Sequence, residues 1–217
     1  DHRDLHSFPT RRSSDLRTIM ALLAGFGLSM AGAVYQNIFK NPLAAPDLIG
    51  VANGAAAGAA FSIVCLHGGT ILAAGSSFVG GITAVAAVVV LAGFVRQRTS
   101  ATYVLAGIAV KAAAEAFVMA MKYFADPDKQ LSAIDYWAMG SFANITMDKL
   151  RVIFPVFLAG FIGIILLRWQ ITLLSLGDDE ARMLGMRVNL VRCIVLGFST
   201  LLVASTVCVT GIISFIG

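Results

Sequence analysis

Apolar residues run along this chain in long blocks, with the polar ones gathered between them. Residues 18–39, 48–95, 152–167 and 193–217 contain no Asp, Glu, Lys or Arg. Apolar stretches of about 20 residues match the thickness of a bilayer core when they are helical. Lipid offers the backbone no hydrogen-bond partners, and a helix satisfies its own. The breaks between blocks predict six spans, at about 18–38, 48–66, 70–95, 101–124, 150–169 and 191–210. The expected fold is all-α: a polytopic membrane helix bundle of about six transmembrane helices, with short interfacial and cytoplasmic helices. A soluble helical core would need polar outer faces at helical period, and 48–95 has none.

The punctuation between spans is as informative as the spans. Lys40 ends the first, and Asn41-Pro42-Leu43-Ala44-Ala45-Pro46 follows. Each proline removes an N–H and clashes with the preceding turn, so Pro42 and Pro46 cannot share one regular helix. This is a tight re-entry between two helices. Gly50, Gly54 and Gly58 then recur every four residues, the small-xxx-small pattern of a helix pressed on another backbone. Gly25, Ser29, Ala31, Gly32 and Ala33 give the first span similar small contacts. His67-Gly68-Gly69 makes a turn, with His67 a loop residue. After the polar insert 126–129, Leu131, Ile134 and Trp137 recur at helical spacing, which predicts a short interfacial helix over 130–139. Pro155 falls early in the fifth span, where a helix tolerates it. Between the last two spans, Ser175 and Asp178 fit a capping box, and Asp178, Asp179 and Glu180 suit a helix N-terminus. Gly185 can end that helix, leaving Ala181, Met183 and Leu184 available for packing; the alternative is an ordinary solvated loop helix.

Charge placement orients the bundle. The chain is 58% hydrophobic and 13% charged, against roughly half and a quarter in soluble domains. The net charge of +4 does not indicate nucleic acid, because the basic residues stand singly at the ends of apolar runs. Alternating spans place Lys40, Arg96, Arg98, Arg168, Arg182, Arg187 and Arg192 on one side, and Arg17, Lys122, Lys129, Lys149 and Arg151 on the other. The more basic side is expected to be cytoplasmic, so the 41–46 turn and the 174–185 segment both face the cytoplasm. Cys65, Cys193 and Cys208 lie in apolar runs without C-x-x-C spacing and are expected to be buried thiols, not a metal site or disulfide. Residues 1–16 break the pattern: they carry two of the three histidines and lack the apolar core of a signal peptide. Residues 6–16 resemble translated sequencing adapter, so 1–16 is expected to be a non-native or disordered tail and 17–217 the membrane domain.

Candidate chemistry is sparse. Lys111 and Glu115 lie one turn apart inside the fourth span, where charge is costly unless paired. They are either a self-satisfied pair at a helix contact or face a solute path. No G-x-x-x-x-G-K-[ST] loop occurs, so any ATP must be handled by a partner. No HExxH and no paired aspartates occur in the spans, which argues against an intramembrane enzyme. An ion-coupled transporter or channel is the alternative function; it needs intramembrane acids, and Glu115 is the one on offer.

Gly32, Gln36, Asn41–Ala44, Pro46, Gly50 and Gly54 together resemble the FecCD-type permeases of type II ABC importers, which carry iron–siderophores, haem and vitamin B12. Leu105-Ala-Gly-Ile-Ala109, Asp126-Pro127 through Trp137-Ala-Met-Gly-Ser141, the 174–185 block and Gly211-Ile-Ile-Ser-Phe-Ile-Gly217 resemble further family blocks in the same order. The resemblance covers about 17–217 and implies a transport subunit that is not itself an enzyme. It implies a second permease subunit, cytoplasmic ATPase subunits, an extracytoplasmic substrate-binding protein and membrane lipid as partners, with no nucleic acid, cofactor or metal. The implied location is a bacterial or archaeal inner membrane. By that comparison the chain is expected to lack the family's first helix and roughly its last three. The resemblance places a cytoplasmic gate at Asn41, Leu43, Ser100 and Ala101, although the family usually has a hydroxyl where Ala101 stands. It places an ATPase-coupling helix at Gly177, Asp178, Glu180, Ala181, Arg182, Leu184 and Gly185, and a binding-protein contact at Arg17. Lys111 and Glu115 fall on a span that helps line the family's central path.

Overall fold

The computed structural model describes residues 7–42, 44–95, 99–143 and 145–213, with side chains from Ser14 onward. Among these the chain is helical without strands. The helices are α1 (Ser7–Phe39), α2 (Val51–Cys65), α3 (Thr70–Phe94), α4 (Ser100–Phe124), α5 (Ser132–Met139), α6 (Met147–Leu166), α7 (Arg168–Leu176), α8 (Asp178–Met183) and α9 (Val188–Thr210). A 3₁₀ turn, Pro46–Ile49, precedes α2, and a π turn, Pro127–Leu131, precedes α5. The bundle is all-α and membrane-type, as the blocks predict.

Five described helices are long and apolar enough to cross a membrane: α1 from Ser14, α3, α4, α6 and α9. The expected second span differs. Its helix α2 has 15 residues and is too short by itself. The block's first residues belong instead to the Pro46–Ile49 turn and to Gly50, whose φ of 75° opens α2. Irregular backbone at that depth is tolerated where protein covers it, and Ile49 and Val51 are fully buried. Gly54 and Gly58 then seat α2 on α3. A Cβ at Gly54 would strike Ala84 and the Gly80 carbonyl, and one at Gly58 would strike Ser76. The small-residue stripe is thus a backbone-to-backbone contact, with Gly50 turned instead toward Lys111 on α4.

Helix α9 is the centre of the bundle. Most of its apolar length is buried, whereas almost none of α4 is. Its buried threonine hydroxyls return to their own helix: Thr200, Thr206 and Thr210 donate to the carbonyls of Leu196, Leu202 and Thr206 at 2.7, 2.9 and 2.9 Å. A polar side chain satisfied in this way can sit in an apolar core. Helices α1, α3 and α6 surround α9, and the shared core includes Tyr35, Val88, Phe157 and Leu196.

Several local expectations change. Helix α1 continues back to Ser7. Pro155 lies well inside α6, because that helix starts at Met147 under a Thr146 cap. The expected fifth span ends at Leu167, where the chain bends into the separate helix α7. Ser175 does not cap α8: its hydroxyl donates to the Thr172 carbonyl at 2.7 Å, and Gly177 is the N-cap. Cys208 is buried, but Cys65 is exposed on α2, with its thiol 3.9 Å from the Met121 sulfur.

Candidate functional site

Asn41, Ser100, Ala101 and the 177–185 segment lie at one end of the bundle. Helix α1 stops there for a local reason. Lys40 adopts the left-handed conformation, φ 49°, and the Asn41 N–H reaches back to the Gln36 carbonyl at 3.2 Å. That six-residue closure is how a helix ends before a turn. The Ala44 N–H then donates to the Asn41 carbonyl at 3.0 Å, which folds the turn tightly. Asn41 is exposed at its tip; Leu43 lies outside the described residues.

Ser100 and Ala101 open α4 beside this turn. Thr99 caps the helix through a reciprocal bond with Thr102. The Ser100 hydroxyl donates to the Ile38 carbonyl at 3.1 Å, so the start of α4 is fastened to the end of α1. Ala101 is exposed. The structure therefore brings together Asn41, Ser100 and Ala101 from segments about 60 residues apart.

The predicted coupling segment lies at the same end. Helix α8 is six residues long, with Asp178, Asp179 and Glu180 in its first turn, where the helix dipole favours acids. Ala181 is fully buried, whereas Met183 and Leu184 are 87% and 63% exposed. Gly185, at φ 81°, ends the helix, with the Met186 N–H closing on the Ala181 carbonyl at 3.0 Å. Asp179 and Arg182 form an exposed pair at 3.5 Å, which adds little stability. Lys40 ties the segment to the turn by donating from Nζ to the Leu176 carbonyl at 2.7 Å.

Sequence reasoning missed Arg192. It counted this residue as a charged anchor at a helix end, yet its side chain is completely buried. Its Nη2 donates to Asp178 Oδ1 at 2.6 Å and lies 3.5 Å from the Ser100 hydroxyl. Its guanidinium carbon stands 5.5 Å from the centre of the Tyr103 ring, a cation–π distance. No local pattern pairs residues on either side of a turn, so the available signal was a single arginine just inside an apolar helix facing an acidic helix start.

Lys111 and Glu115 sit midway along α4. Their charged atoms are 4.0 Å apart, the outer limit of an ion pair. Glu115 has a shorter partner: Asn53 Nδ2 donates to its Oε1 at 2.9 Å from α2. Lys111 also lies against Gly50, at the start of α2. Asn53 and Glu115 border a cavity of about 290 Å³ between α2, α4 and α5 that also meets Lys122, Trp137 and Ile212. Arg17 is at the opposite end, where its guanidinium donates to the Ala143 carbonyl at 3.3 Å. Among the described residues no group of His, Cys, Asp and Glu could hold a metal.

The FecCD transport family model matches residues 14–217. The chain belongs to that family. It is 34% identical over 207 residues to the molybdate import system permease protein MolB of Haemophilus influenzae, covering 93% of this chain and 59% of that protein. It is 34% identical to the hemin transport system permease protein HmuU of Yersinia pestis, covering 93% and 61%, and 32% identical to the vitamin B12 import system permease protein BtuC of Yersinia enterocolitica, covering 93% and 60%. A solved metal-chelate type ABC transporter in an inward-facing conformation superposes with a TM-score of 0.85 at 32% identity, covering 91% of this chain and 63% of that one. The chain thus spans about three fifths of the length of the relatives it matches.

Proposed function

We propose that the chain is the translocating part of a membrane permease subunit in an ATP-driven importer, taking up an iron–siderophore or a related chelate such as haem or cobalamin. The carrying observation is that α8, with Met183 and Leu184 projecting from it, shares one end of the bundle with the turn formed by Asn41, Ser100 and Ala101. A short rigid helix with an exposed apolar edge can seat in a partner and move as a unit, which a loose loop cannot.

In this reading α8 docks on a cytoplasmic ATPase subunit. The turn, with Leu43, forms the inner gate, where apolar side chains exclude water and Asn41 bonds across to a second permease subunit. The sparsely covered helix α4 faces that subunit and the solute, which puts Glu115 beside the path. A binding protein delivers substrate at the opposite end, near Arg17. The membrane is a bacterial or archaeal inner membrane. The names of the relatives support metal-chelate cargo, and the molybdate permease extends the range to a small oxyanion. The ion-coupled alternative depends on Glu115 exchanging an ion, and one oxygen of that carboxylate already accepts from Asn53 and faces Lys111.

The test uses the full-length permease assembled with its ATPase and binding protein in lipid vesicles. Binding protein loaded in turn with a ferric hydroxamate siderophore, haem, cyanocobalamin or molybdate is added outside. The expected result is faster ATP hydrolysis and uptake with one chelate. Uptake that follows a proton or sodium gradient without ATP would overturn the reading.

A further inference from the structure

The buried guanidinium of Arg192 joins the two parts that the proposed function needs to connect. On one side it holds Asp178, the first residue of α8, at 2.6 Å. On the other it reaches the Ser100 hydroxyl at 3.5 Å, and that hydroxyl donates to the Ile38 carbonyl in the last turn of α1. Asp178 to Ile38 is therefore one continuous polar chain from the docking helix to the residues just before the inner turn. The Tyr103 face supports the guanidinium from α4.

Two features distinguish this group from an ordinary structural ion pair. First, its Nε and Nη1 have no hydrogen-bond partner among the described residues, although the side chain is fully buried. A buried guanidinium with idle donors is costly; replacing both members of a buried pair by apolar side chains is often neutral or stabilising, whereas removing one alone is not. Idle donors can, however, take up a second arrangement when a neighbour shifts. Second, Gly177 separates α7 from α8 with φ 155°, and a Cβ there would strike Glu180 and approach Lys40 Nζ. The two polar links leave from either side of this glycine. Leu176, before it, is held by Lys40 at the turn; Asp178, after it, is held by Arg192. Rotation of α8 about Gly177 would move Asp178 relative to Leu176 and so pull on Arg192.

Resting on the importer reading, we propose that Arg192 is a positioning residue that carries displacement of α8 to the start of α4 and the end of α1, through Asp178 on one side and Ser100 on the other. Arginine suits the task because one nitrogen, Nη2, reaches both groups while the planar guanidinium rests against Tyr103; a lysine ammonium lacks that flat face.

The experiment uses the full-length transporter in lipid vesicles, with Ala101→Cys as a reporter at the exposed first turn of α4. Labelling of that thiol by a water-soluble maleimide is measured above the background of the protein without it, once nucleotide-free and once trapped with ATP and vanadate. With Arg192 intact, the two rates should differ. With Arg192→Met their ratio should fall to near one while ATP hydrolysis persists. Arg192→Lys should recover only part of the ratio, and it carries the test if the methionine variant does not assemble. An undiminished ratio in either variant overturns the relay. So does a parallel loss of hydrolysis and ratio, which a purely structural role would produce. If trapping has no effect even with Arg192 intact, the importer reading itself fails and the relay with it.

Discussion

At the scale of single residues, three polar side chains each hold one element to another. Asn53 fastens α2 to Glu115 on α4, Ser100 fastens α4 to α1, and Arg192 fastens α9 to α8. For Asp178 and Arg192 the interaction is short and charge-assisted, with one partner wholly buried. A double-mutant cycle with Asp178→Asn and Arg192→Met should therefore show coupling of about 0.5–3 kcal/mol in chemical unfolding of the purified protein, the range for contacting polar pairs. The exposed Asp179–Arg182 pair should give under about 1 kcal/mol in the same measurement.

At the scale of elements, contacts between helices depend on absent side chains. Gly54→Leu would force α2 from the Gly80 and Ala84 surface of α3. Overpacking of this kind costs about 1–3 kcal/mol, and a lower thermal midpoint in detergent would register it. Gly177→Ala combines an unfavourable φ with contacts to Glu180 and Lys40. It should leave the long spans intact but misplace α8, so uptake by the complete transporter should fall while the five long helices keep their circular dichroism. The sequence made the long spans legible because lipid permits few alternatives: α3 and α4 begin and end within a residue of the boundaries that composition predicts. The break before α2 was harder. The Leu48-Ile49-Gly50 part of the turn is apolar and continuous in composition with the helix that follows. The site was legible where it follows local rules, at the proline turn and the acidic start of α8. It was not legible where it depends on pairing over distance. Glu115 has Asn53 as its nearer partner, 62 residues earlier, and no spacing rule links them.

At the scale of the whole molecule, coverage is uneven in a way that separates two kinds of apolar surface. Helix α3 exposes Val79 and Val90, and α4 exposes Leu105, Ile108 and Met119. Composition alone would give both faces to lipid. The difference is that the α4 face continues into Glu115, a carboxylate midway along the span with its side chain 54% exposed. An ionised group at that depth is costly against hydrocarbon, but not against a water-filled path or a second subunit. At helical spacing, Leu105, Ile108, Glu115 and Met119 share one stripe. If that stripe borders the solute path of the complete transporter, Leu105→Cys and Met119→Cys should react with a water-soluble maleimide in intact vesicles, and trapping with ATP and vanadate should change their rates. Val90→Cys, comparably exposed in the isolated chain, should react slowly in both states because lipid covers it. Equal, slow labelling on both helices would place α4 in lipid and remove Glu115 from the path.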